Sequence, residues 1–259
     1  MRLLLVNPNV TQAITDTMTA EARCVASPGT ELTAVTARFG TLYVENRVEA
    51  AVAAHAVVET LAEHGRGCDA AIIAAFGDPG LAAAKELMDI PVVGVSEAAL
   101  LIAYLLGRRY AIVCLTPRLR TWYMECAREH DLAARLASVR ALDRPVPDSP
   151  QAREALREPL IEACQRAIEE DDAEVIIVGG GPIAGLAREI ADRLPVPTLD
   201  GVSCAVRLAE TLVALGLRAP ERGSFARPRG RPSRGLSPAL AALLGGETPG
   251  AGPAPSAPP

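Results

Sequence analysis

Two glycine-rich turns carry residue types suited to holding a small anion or a carbonyl. The first is Ala75-Phe76-Gly77-Asp78-Pro79-Gly80, and the second runs Gly179-Gly180-Gly181-Pro182-Ile183-Ala184-Gly185. Small residues at a strand end let a ligand approach backbone N–H groups where a helix begins. A structural turn needs one or two glycines, not three in a row from 179 to 181. Ligand contact is therefore expected from Ala75, Phe76 and Gly77 on one side and from Gly180, Gly181 and Pro182 on the other. Asn7-Pro8-Asn9 is a third candidate. At a strand-to-helix junction, Asn7 and Asn9 can bind an anion or carbonyl, or simply cap the helix. Thr116-Pro117 stands in the equivalent place after a later apolar run, which favours binding for the pair.

Acid–base groups are scarcer. Asp78 lies in the first turn, where it can act as an acid or base or cap the helix that follows. Asp200, Glu97, Glu45 and His55 are weaker candidates, and His55 falls mid-helix among alanines. A dinucleotide site fits poorly. The first turn has no GxGxxG, and Asp200 is the sole candidate for the acidic partner of the second. The six cysteines (Cys24, Cys68, Cys114, Cys126, Cys164, Cys204) form no CxxC, so no metal site is expected. They read as reduced thiols of a cytoplasmic protein, serving as small buried hydrophobes.

The elements that position these turns come from an internal repeat. Asp69 to Glu97 and Ala173 to Cys204 each read strand, turn, helix, strand, turn. Ile72-Ile73-Ala74-Ala75 matches Ile177-Val178-Gly179-Gly180, and Gly80-Leu81-Ala82 matches Gly185-Leu186-Ala187. A repeat of this length implies two similar α/β lobes. Ligands collect outside the carboxyl ends of such strands, so both turns should face one cleft. The fold expected is α/β, with two pseudo-symmetric Rossmann-like or flavodoxin-like lobes and mostly parallel sheets.

The first lobe should span 1–97, completed by a helix at 202–216, and the second 98–201. Strands are expected at 2–6, 31–37, 70–75, 92–95, 109–115 and 137–142. Helices are expected at about 44–64, 79–88, 97–106 and 119–129, with one long helix from Ser149-Pro150 to Asp171. Residues 217–259, rich in Pro, Gly, Ala and Arg, read as a disordered tail with a short helix at Pro238–Leu244.

Composition excludes several classes. Half of the 259 residues are apolar, and aromatics make up only 3%. A net charge of −5 gives no reason to expect nucleic acid or an anionic membrane. The apolar run Leu3–Val6 is a first strand rather than a signal peptide, and no run reaches the ~20 residues of a membrane span.

LLLVNPNVT, FGDPGL, IPVVGVSEAA and VPTLDGVSCAVRLAE together resemble the aspartate/glutamate/hydantoin racemase superfamily, and within it the hydantoin and allantoin racemases. The resemblance runs from about Arg2 to Leu215. It implies a two-lobed fold, cofactor-independent chemistry at an acidic carbon and a homo-oligomer. It also implies one cysteine per lobe on opposite faces of a small hydantoin or carboxylate substrate. Tyr43 and Arg47 fall in a segment that resembles the family's substrate-covering region, where Arg47 can clamp a carboxylate.

The departure from the family pattern is sharp, because the two cysteine positions are Ala75 and Gly180 here. Neither residue can carry a proton. Three readings follow: an isomerase with an altered proton relay, a cofactor-free decarboxylase or lyase, and a catalytically silent small-ligand binder.

Overall fold

The computed structural model describes residues 1–245. Its elements run in order β1 (Arg2–Asn7), α1 (Gln12–Val25), β2 (Glu31–Thr36), α2 (Arg47–His64), β3 (Ala70–Ile73), α3 (Leu81–Leu87), β4 (Val92–Gly94) and α4 (Val95–Leu106). They continue with β5 (Tyr110–Cys114), α5 (Pro117–Glu129), β6 (Leu136–Ala141), α6 (Pro150–Glu154), α7 (Arg157–Asp171) and β7 (Val175–Gly179). The last are α8 (Leu186–Ile190), β8 (Thr198–Asp200), α9 (Gly201–Ala214) and α10 (Pro238–Leu244). No described helix is long and apolar enough to cross a membrane.

The strands form two four-stranded sheets of matching order, β2-β1-β3-β4 and β6-β5-β7-β8, and every pairing is parallel. Strands buried on both faces explain the continuous apolar runs. Along β1, Leu3 and Leu5 face a core shared by both lobes, while Leu4 and Val6 face α2 and α3. Along β5, Tyr110, Ile112 and Cys114 join that shared core, and Ala111 and Val113 face α7 and α8. This is the two-residue period of a strand.

Two helices change sides. α4, which follows the first sheet, packs on β7 and β8 of the second. α9, which follows the second sheet, packs on β3, β4 and α1 of the first. The two also pack on each other, so the shared core runs unbroken between the sheets.

The long helix expected from 150 to 171 is two helices, α6 and α7. Pro159 has no N–H to continue the ladder and is tolerated only in a first turn, so the chain restarts at Arg157. Leu156 sits at the break and is buried in the second lobe's outer core. Of the tail, Pro238–Leu244 is helical as expected. It lies against α2, with Leu240 buried among Leu61 and Leu87. The run leading to it follows the first lobe: Ala219 N–H donates to Asp89 O at 3.3 Å, and Lys85 Nζ lies 5.3 Å from the Phe225 ring centre. The expectation for 246–259 lies outside the described residues.

Candidate functional site

The repeat predicts that the turns at 75 and 180 meet, and they do. A small cleft is lined by Asn9, Tyr43, Ala75, Phe76, Gly180, Gly181 and Pro182, together with Ile14, Val44, Ala74 and Tyr123. β3 delivers the first turn and β7 the second, both from the carboxyl ends of their strands. Gly80 and Gly185, matched by the repeat, both take positive φ, at 79° and 86°. Among the described residues the N–H groups of Ala75, Phe76, Gly180 and Gly181 donate to no protein acceptor. The floor is aromatic, with Phe76 and Tyr123 ring centres 4.5 Å apart.

A strap from 37 to 46 covers the cleft. Val10 N–H donates to Thr41 O, and the Thr11 hydroxyl donates to Leu42 O at 2.7 Å. Its far end is tied to the second lobe, because the Thr116 hydroxyl donates to Glu45 Oε2 at 3.0 Å. Tyr43 hangs from this strap. Its hydroxyl lies 3.8 Å from the point where a side chain at position 180 would begin. Burial, helped by Cys114 and Glu45, raises the Tyr43 phenol well above its ordinary value, so it stays protonated.

Five residues expected to contact a ligand or carry a proton are placed elsewhere, each for a physical reason. Asn7 is fully buried and its amide donates to Asn9 Oδ1, Thr11 O and Thr15 Oγ1, so it braces the turn while Asn9 lines the cleft. Gly77 turns its N–H to Ser96 Oγ at 2.5 Å, which leaves none for a ligand. Asp78 points to the other side of the turn, where Oδ1 accepts from Ser96 N–H and Oδ2 from Glu97 N–H. It therefore caps α4, not the adjacent α3. Arg47 is exposed and paired with Glu125 of α5, which ties the strap's end to the second lobe. Thr116 spends its hydroxyl on Glu45.

The weaker candidates also resolve. Asp200 caps α9 through Val202 and Ser203 N–H and also accepts from Gly185 N–H. It lines a second, smaller recess that also touches Gly180 and Gly181. Burial pushes its carboxyl up to about 6 despite the three backbone donors. His55 pairs with Glu59 at 3.3 Å on α2, and Glu97 pairs with Lys85. Cys114 and Cys204 are buried, and burial pushes both thiols up to about 12. Neither lines the cleft.

Tyr123 went unread in the sequence. Nothing in TWYMEC separates it from an ordinary buried helix position, and its role depends on α5 leaning across from the second lobe.

The Asp/Glu/Hydantoin racemase family model matches residues 3–209. A hydantoin racemase of Paenarthrobacter aurescens is 37% identical over 230 residues, covering 88% of this chain and 98% of that one. The allantoin racemase from Klebsiella pneumoniae superposes with a TM-score of 0.87 at 38% identity, covering 93% of this chain and 98% of that one. That from Pseudomonas fluorescens gives 0.87 at 39%, covering 91% and 100%. With the sheet order, the cleft and the sequence in agreement over nearly the same span, the chain belongs to the Asp/Glu/hydantoin racemase family.

Proposed function

We propose that this protein is a hydantoin-racemase-like, cofactor-independent isomerase that takes a small cyclic ureide between its lobes. The carrying observation is that four residues lining one cleft, two from each lobe, have N–H groups with no protein acceptor among the described residues. Removing the proton from the acidic ring carbon moves charge onto the flanking carbonyl oxygens. Backbone N–H groups aimed at that charge stabilise it without reorganisation. The apolar floor of Phe76 and Tyr123 suits a flat ring.

The relay differs from a two-thiol one. Ala75 and Gly180 offer no proton carrier. The Tyr43 hydroxyl is the protic group on the Gly180 side. The decarboxylase, lyase and silent-binder readings are not favoured, since the relatives at 30% identity and above are named racemases. The six free thiols support a cytoplasmic setting. A homo-oligomer would cover the exposed Leu101, Leu105 and Leu106 of α4.

Deuterium wash-in at C5 of a 5-substituted hydantoin, followed by NMR in D2O, tests the reading. Saturable exchange above the buffer rate, but slower than that of the P. aurescens enzyme run in parallel, is expected. Thiol alkylation should leave that rate unchanged. Exchange at the relative's full rate, or abolished by alkylation, would overturn the thiol-free relay. Exchange at the buffer rate with calorimetric binding would leave only a binder.

A further inference from the structure

On the far side of the first turn, three unlike metal-binding side chains converge. Asp78, Cys126 and His130 bring one carboxylate oxygen, one sulfur and one ring nitrogen within 4.8 Å of one another. His130 Nε2 lies 3.4 Å from Asp78 Oδ2. Asp78 and Cys126 are buried, and the His130 side chain is 18% exposed, open to solvent on one side. Cys126 lies in the last turn of α5 and His130, at i+4, caps its end, so they share a face. Asp78 comes from the other lobe, fixed by its two amide bonds to α4.

We propose that Asp78, Cys126 and His130 bind a divalent cation of the zinc class as a clip between the two lobes. One thiolate, one imidazole and one carboxylate suit zinc or cobalt over the hard cations magnesium and calcium. Zinc bonds of about 2.0–2.3 Å put ligand atoms about 3.3–3.8 Å apart in a tetrahedron, within about an ångström of the arrangement present. Rotation of the half-buried His130 ring closes the difference. The Cys126 thiol proton passes to water as the metal–sulfur bond forms. The fourth position faces the depression lined by Glu97, Glu129 and His130, where Lys85 is already engaged by Glu97.

The absence of CxxC hid this site. Two ligands form a Cys-x3-His pair on one helix, and the third lies 48 positions upstream of Cys126, at Asp78.

The full chain, stripped with a chelator and titrated with Co2+, provides the test. One equivalent per chain should give a thiolate-to-cobalt absorption band, displaced by Zn2+. Cys126→Ser should abolish the band, while Cys24→Ser with Cys68→Ser should keep it. Should Cys126→Ser fail to fold, His130→Gln at its more open position still serves. It should weaken cobalt binding by more than the roughly 10–100-fold expected from losing an outer-shell partner. No band in the native chain, a band surviving Cys126→Ser, or unchanged affinity in His130→Gln would overturn the proposal.

Discussion

Gly180 takes φ 137° and ψ 125°, a conformation that residues with a Cβ rarely adopt. An added Cβ would meet its nearest neighbours at ordinary contact distances of 3.6 and 3.8 Å, so strain rather than crowding resists a side chain there. Ala75 has no such angle. The two positions should therefore respond differently to an introduced thiol. Ala75→Cys is expected to raise C5 exchange at least tenfold, on one face of the ring. Gly180→Cys is expected to lose about 1–3 kcal/mol in urea unfolding, with little gain in exchange. The bare residue types at both corners are legible in the sequence, but the angle at 180 is not, because Gly-Gly-Gly permits many backbone paths. Gly77 shows the same limit. It reads as a ligand contact, yet its positive φ and the Trp122 ring, which an added Cβ would overlap, make it a packing position.

Among the elements, helix caps carry much of the joinery. Asp78 adopts φ 45°, which swings its carboxylate past α3 and onto the first amides of α4. Sequence reasoning assigns such an Asp to the nearest helix, since the left-handed angle that redirects it leaves no mark in the chain. Asp78→Ala should cost about 2–4 kcal/mol in urea unfolding, with one buried and one partly buried amide orphaned.

Glu21 of α1 accepts from Ser203 of α9 at 2.6 Å and bridges to the other lobe by accepting from Arg188 at 2.8 Å. Burial alone would raise its carboxyl, but those bonds and the Arg188 charge overcome it and hold it below its ordinary 4.5. A depressed folded value means the contribution is present above the unfolded value and is lost as pH falls through the folded one. Glu21→Gln should thus be less stable by about 1–3 kcal/mol at pH 7, with the difference closing below pH 4.5. Urea midpoints across pH check this.

For the whole molecule, the parallel two-lobed plan was open to reading because a repeat and unbroken apolar strands force it. The docking of α10 was not, since the helix is legible but its partner lies some 180 residues upstream, beyond a Pro- and Gly-rich approach. Leu240→Ala should lower stability by about 2–4 kcal/mol if that helix is part of the folded unit, as thermal unfolding will show.

The exchange of α4 and α9 between sheets has a mechanical consequence. A bivalve motion about the midline would drag each borrowed helix out of its neighbour's groove, stripping apolar surface with every turnover. The jaws are in effect riveted shut. Traffic to the interior then falls to the strap that carries Tyr43, held at one end by hydroxyl contacts with Leu42 and at the other by Glu45 and Arg47. Loosening those few polar ties is the cheap way to let a guest in and out.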